Sequence, residues 1–236
     1  MASGQTVSLP EDEAAHASRV LRLQAGDAVR VFDGRGHEFA ATVAQIAKGH
    51  ATVTIGEPIA AVPERRIAVT LAQAVLKGDK MDDVVRDAVM MGVSAIVPLV
   101  TERSEVSQQM LERGRRRERW QRIAIVSAKQ CGRAVVPHIE EPCELQPFCE
   151  HLASDPNVAR LMFVEPSAAG GGRLNAIPAP PASVVVLVGP EGGWSAEELG
   201  NTASLVTQVT LRGPTLRADA MPIVALTALF TAWSEL

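Results

Sequence analysis

Apolar and polar positions follow one rhythm at the start of the chain and another after it. Asp27-Ala28-Val29-Arg30-Val31-Phe32-Asp33 alternates with a period of two, as a half-buried strand does. Asp33-Gly34 is a hairpin turn signal, and residues 38–43 and 51–55 resume the strand pattern. Residues 10–23 predict a short helix whose acidic residues sit at its start, where they suit the helix dipole. Short strands with one face to bury predict a small β-barrel over residues 1–62, with 58–63 as the linker. From residue 66 onward, apolar runs at 67–76, 94–100, 160–165, 183–189 and 208–211 alternate with helical stretches at 80–91, 107–131, 196–205 and 218–236. Val184-Val185-Val186-Leu187-Val188 is apolar throughout, which suits a strand buried on both faces. This alternation predicts a parallel α/β domain over residues 66–236. Residues 168–181, rich in Gly, Pro and Ala, predict a flexible loop.

Composition narrows the picture only a little. Hydrophobic residues make up 47% and charged residues 21% of 236, which excludes a disordered chain. The net charge of −4 gives no global sign of a nucleic-acid partner, so any such sign must be local. The first residues lack a basic stretch followed by an apolar run, and no apolar run is long enough to span a membrane. A cytoplasmic location is expected. Cys131, Cys143 and Cys149 show no paired-ligand spacing and are expected to be reduced thiols, with no metal site.

Three segments could carry chemistry. After the strand 183–189 comes Gly189-Pro190-Glu191-Gly192-Gly193-Trp194-Ser195, and Ser195 with Glu198 forms a capping box that predicts a helix start. A glycine-rich turn between a buried strand and a helix is where α/β sheets bind ligands, although this one matches neither a dinucleotide fingerprint nor a P-loop. A second loop, Leu211-Arg212-Gly213-Pro214-Thr215-Leu216-Arg217-Ala218-Asp219, also follows a strand and precedes an apolar helix that Asp219 or Thr215 could cap. The two loops would make one pocket if their strands are neighbours. The third segment, residues 113–122, holds six arginines in ten residues. It could neutralise phosphates or form a solvated helix face.

Taken in order, these segments resemble the bacterial 16S ribosomal RNA (uracil-N3)-methyltransferases of the knotted SPOUT superfamily. The motifs are Val20-Leu21-Arg22-Leu23 with Gly26-Asp27, Phe32-Asp33-Gly34, Lys77-Gly78-Asp79-Lys80-Met81-Asp82, Gly92-Val93, Thr101-Glu102-Arg103-Ser104, Trp120-Gln121-Arg122-Ile123-Ala124 and Gln130-Cys131-Gly132-Arg133, followed by the two loops. The resemblance implies an N-terminal PUA-like barrel, a trefoil-knotted α/β domain, a homodimer, and transfer of the methyl of S-adenosylmethionine to N3 of one uridine in small-subunit ribosomal RNA. There are departures. The Arg-x-Phe-like first strand common in the family is missing, and with it some RNA affinity. The family's Arg-Thr-Glu-Thr is Arg217-Ala218-Asp219-Ala220, its Thr-Glu-Leu is Val89-Met90-Met91, and Lys129 replaces a common Glu.

Carried onto this sequence, the cofactor would be held by Phe163, Glu165, Leu187, Val188, Gly189, Pro190, Glu191, Gly192, Gly193, Leu211, Gly213, Leu216 and Arg217. Arg217 would stabilise negative charge on the uracil oxygens, with Asp219 or Glu191 orienting it or accepting the imino proton. His16, Arg19, Arg22, Lys77, Lys80, Arg115, Arg116, Arg117 and Arg133 would meet RNA. Three competing readings remain at this level: a SPOUT enzyme acting on another base or a ribose, a non-catalytic ribosome-assembly protein, and a metabolite-binding α/β enzyme.

Overall fold

The computed structural model describes residues 1–47, 49–166, 171–174 and 182–236. They form two compact units, Met1–Pro63 with Gly132–Val135, and Glu64–Cys131 with Val136–Leu236.

The first unit holds β1 (Thr6–Ser8), α1 (Glu11–Arg19), β2 (Ala28–Phe32), β3 (Glu38–Ala47) and β4 (His50–Ile59). The strands form an antiparallel sheet in the order β1-β4-β3-β2. Alternate residues Ala41, Val43, Val53 and Ile55 turn inward and pack with Val29, Val31 and Phe39. Register shifts at Phe39/Ala41 and Val43/Gln45 bend β3, as bulges do. Ala14 and Ala17 are the buried residues of α1, which packs on β4. Strand β1 was not predicted, because three residues are too few to display a period. The chain therefore does have a first strand, built from Thr6-Val7-Ser8 rather than the family's Arg-x-Phe pattern. Gly132–Val135 joins this unit because Val135 bridges Gly34 and Arg35 and the Ala134 carbonyl accepts from the Gly36 amide.

The second unit is built on β5 (Ala68–Ala74), β6 (Ala95–Val100), β7 (His138–Ile139), β8 (Cys143–Glu144), β9 (Val158–Phe163), β10 (Gly172–Arg173), β11 (Ser183–Val188) and β12 (Thr207–Thr210). The order is β10-β12-β9-β11-β5-β6-β7, with β8 also on β6, and the pairings are parallel. Its helices are α2 (Lys80–Met91), α3 (Gln108–Arg113), α4 (Arg116–Cys131), α5 (Leu145–Ala153), α6 (Ala196–Thr202) and α7 (Met221–Ala232). Val184, Val186 and Val188 face α2, α4 and α7, whereas Val185 and Leu187 face α5 and α6. The same division runs through Leu161 and Phe163 against Met162 and Val164. The apolar runs are unbroken because both faces are covered.

Three differences from the sequence expectations have local causes. The stretch 107–131 is two helices, broken at Gly114-Arg115, where Arg115 takes φ 47°. Helix α5 and the two-residue strands β7 and β8 were missed. Pro147 obscures α5, but it lies in the first turn, where its missing N–H leaves no bond unmade. The predicted loop 168–181 lies mostly outside the described residues, and Gly172–Arg173 within it forms β10.

Polar ties fix the helices on one face. The Trp120 indole, fully buried, donates to Asp82 Oδ1 at 3.2 Å, joining α4 to α2. Arg65 donates to the Met91 carbonyl at 2.7 Å and stacks 4.1 Å above the Phe230 ring, joining the end of α2 to α7. Burial pushes the Cys149 thiol up to about 12, so it serves as a packing group under α5 and not as a nucleophile. Trp120→Ala should remove both the packing and the bond to Asp82. The expected loss is about 3–5 kcal/mol in chemical denaturation, with an unchanged denaturant slope.

Candidate active site

Because the strands of the second unit are parallel, their carboxyl ends lie along one edge of the sheet, where open α/β sheets bind ligands. A cavity of about 410 Å³ opens there, lined by Phe163–Pro166 after β9, Val188–Glu191 with Gly193 and Trp194 after β11, and Leu211, Arg212 and Pro214–Leu216 after β12. Ala218, just before α7, and Met221, Val224 and Ala228 on it complete its wall. Strands β11 and β12 are not neighbours, since β9 lies between them and pairs with both. The two loops nevertheless share a pocket, because the end of β9 supplies the floor that joins them.

The glycine loop is held closely. A side chain on Gly189 would stand 3.2 Å from the Trp194 ring. Gly193 has φ 65°, and a Cβ there would lie 3.0 Å from Glu165 Oε1. Trp194 in turn donates to the Phe163 carbonyl at 2.8 Å, pinning the loop to β9. Ser195 accepts from the Glu198 amide at 3.1 Å, and Glu198 Oε2 accepts from the Ser195 amide at 2.8 Å, so the capping box starts α6 where the sequence places it.

Of the residues proposed for the cofactor, Phe163, Glu165, Val188, Gly189, Pro190, Glu191, Gly193, Leu211 and Leu216 line this cavity. Four do not. Leu187 lies on the opposite face of its strand and is buried against Trp194 and the α5 side of the sheet. Gly192 faces outward under Arg103, whose Nη1 donates to its carbonyl at 2.7 Å. Gly213 takes φ 123° in open space. The Arg217 side chain is 74% exposed and forms two bonds to Asp219, at 3.1 and 2.9 Å, as a planar guanidinium does with a carboxylate. Neither Asp219 nor Thr215 caps α7, which starts at Met221 with no side-chain cap.

The carboxylates sit in cationic settings. Arg217's hydrogen bond holds the Asp219 carboxyl below its usual range. Burial pushes Glu191 up, but the bond from Lys80 at 2.7 Å and the Lys77 and Glu191 amides outweigh it, and the carboxyl stays below its usual value. Neither is tuned toward neutral pH, as a built general base would be.

The basic residues divide. His16, Arg19, Arg22 and Arg115 are exposed. Lys77 pairs with Glu105 at 2.9 Å, which raises its pKa, and Lys80 pairs with Glu191. Arg116 donates to the Gly78 carbonyl at 3.2 Å. Arg117 has partners of its own, and the assignment of Arg133 to RNA needs correction. Arg117 is committed to the Ile139 carbonyl at 2.8 Å and to Glu141 at 2.9 Å, holding α4 to β7. Arg133 is 6% exposed, so its guanidinium is not on the surface where a phosphate would meet it. Two residues that sequence reasoning did not assign also touch the loop: Arg103, within the quoted Thr101–Ser104 motif, and Gln73, which carries no signal beyond being a polar residue inside an apolar strand.

Comparison with known proteins agrees with this geometry. Residues 63–230 match the model of an RNA methyltransferase domain, and residues 9–56 that of an RNA methyltransferase PUA domain. The chain is 34% identical over 224 residues to the ribosomal RNA small subunit methyltransferase E of Synechocystis, covering 94% of this chain and 71% of that protein. It superposes on the ribosomal RNA small subunit methyltransferase E of Neisseria gonorrhoeae bound to S-adenosyl methionine with a TM-score of 0.89, at 30% identity, covering 99% of this chain and 94% of the other. A Legionella pneumophila methyltransferase in complex with the cofactor SAM gives the same TM-score at 29% identity, covering 98% and 94%. The chain belongs to the ribosomal RNA small subunit methyltransferase E family.

Proposed function

We propose that the protein transfers the methyl group of S-adenosylmethionine to N3 of a uridine in 16S ribosomal RNA of the small subunit. The observation that carries this reading is the cavity at the sheet edge, set beside an Arg217–Asp219 pair at its mouth. The cavity fits the cofactor's chemistry. Phe163, Val188, Leu211, Leu216 and Met221 offer apolar walls to an adenine, backbone at Gly189 and Gly193 can be approached closely, and Glu165 and Glu191 offer carboxylates to hydroxyl or ammonium groups. When bound, the cofactor supplies an electrophilic methyl carbon.

The protein's own contribution is position and charge. N3 lies on the pairing edge of uracil, so the base must be unpaired or extruded. Loss of the imino proton leaves negative charge on the uracil oxygens, and the exposed Arg217 guanidinium meets it. Asp219 fixes the plane of that guanidinium. We assign Asp219 to orienting Arg217 and Glu191 to orienting Lys80, the cations that each is bonded to. Within the first unit His16, Arg19 and Arg22 are the proposed RNA contacts; within the second they are Arg115 and, in spite of their own partners, Lys77, Lys80, Arg116 and Arg117. A homodimer is supported by α7, whose solvent-facing positions carry no charge and include the exposed Val224 beside Thr227 and Thr231. The trefoil knot of the SPOUT fold and a cytoplasmic location belong to the same proposal; among the described residues, no helix is long and apolar enough to cross a membrane.

The direct test is to incubate small ribosomal subunits lacking the modification with protein and cofactor, then locate new N3-methyluridine by nucleoside mass spectrometry. Its absence, or a methylated ribose in its place, would overturn the assignment. Arg217→Ala should lower methylation on the order of 100-fold or more while leaving cofactor binding within about twofold by calorimetry. Asp219→Asn should slow the reaction about 10- to 100-fold without moving the pH profile. The sign follows from its lowered pKa. An Asp219 anion is present above the ordinary carboxylate value and is lost only as pH falls through the lowered one, so no neutral-range inflection belongs to it. A profile that shifts in Asp219→Asn would make it the proton acceptor. Arg115→Ala should reduce the slope of log affinity against log salt by about one on ribosomal RNA. An unchanged slope returns Arg115 to a solvated surface.

A further inference from the structure

Gln73 is fully buried near the end of β5, on the sheet face whose other residues are apolar. In register it stands beside Val188 of β11 and opposite Pro98 of β6, which has no N–H to give to the ladder. Its side-chain amide donates to the Ala74 carbonyl at 2.9 Å and to the Gly189 carbonyl at 3.3 Å. Both amide hydrogens are thus used. The opposite orientation of the amide would set Oε1 against two carbonyl oxygens, so chemistry fixes which way it points. Oε1 is buried and has no hydrogen-bond partner among the described residues.

A buried polar group with one end unsatisfied is costly, and an apolar side chain of the same length would remove that cost while taking a donor from the Ala74 and Gly189 carbonyls, so the two effects on stability oppose each other. What the glutamine provides in return is a hold on Gly189, the first residue of the glycine loop and part of the cavity wall. The far end of that loop is held by Trp194 on the Phe163 carbonyl. We propose that Gln73 is a positioning residue for the cofactor loop, whose loss weakens cofactor binding while leaving the stability of the fold little changed. The inference rests on the reading of the cavity as the S-adenosylmethionine site.

Gln73→Met keeps the length and removes every hydrogen bond; Gln73→Leu does the same with a branched side chain. For both, the melting temperature without ligand should stay within about 5 °C of that of the wild type, because the two effects oppose each other. The dissociation constant for S-adenosylmethionine, measured by calorimetry, should rise about tenfold, as expected for one lost neutral hydrogen bond. In turnover, KM for the cofactor should rise while KM for the ribosomal subunit stays put. Melting temperatures lowered by more than about 10 °C in both variants, including failure to fold, would make Gln73 a structural residue and overturn the proposal. Wild-type cofactor affinity in both variants would overturn it too. If the wild-type protein itself binds no S-adenosylmethionine, the reading of the cavity fails first, and that result is distinct from either.

Discussion

The constraint on which the second unit depends is that its strands run parallel and are buried on both faces. Parallel strands place all their carboxyl ends on one edge, and the connections β5–β6, β6–β7, β8–β9 and β11–β12 return across the sheet through helices that cover its two faces. Phe163, Val188 and Leu211 come from segments tens of residues apart, yet they meet because β9 lies between β11 and β12. The loops can be rich in glycine because the rigid strands before them, not the loops, carry the stability. Alternation along β11 divides the labour within one strand: Leu187 anchors one layer, and Val188, one residue on, reaches the cavity.

Much of this was legible in the sequence, for physical reasons that also explain the rest. The apolar strands and the capping box at Ser195 are local signals, and each sits close to where the pattern puts it. Helix α2 begins and ends as read, because Gly92 supplies a left-handed end that other residues resist. Tertiary features were not legible. No periodicity separates α3 from α4, since the break lies in the backbone of Arg115 and not in its side-chain type. The cavity residues follow from strand order, which a sequence does not print. Gln73 and Arg103 act through contacts with residues 116 and 89 positions away along the chain.

Charge illustrates the same lesson. A run of arginines reads as one basic feature, but the fold spends its members differently. Arg117 and Arg119 hold helices through carbonyl and carboxylate partners, whereas Arg115, turned by its left-handed backbone, stays exposed. A modestly acidic protein can in this way present a local basic surface, because what a phosphate meets is the unspent cations on one side and not the net sum.

The segment Gly132–Val135 has a consequence for how the molecule is made and cut. Chain order and structural order disagree there: the first unit closes its turn at Gly34 and Arg35 with a residue delivered a hundred positions later, after α2, β6, α3 and α4 have been synthesised. On the ribosome, the N-terminal unit therefore leaves the exit tunnel with that seam open and completes it only when much of its neighbour has emerged. A gene fragment ending at Pro63 encodes an unfinished unit, and one starting at Glu64 carries a strip of chain whose partner is missing. Swapping this unit between relatives calls for exchange of both pieces together.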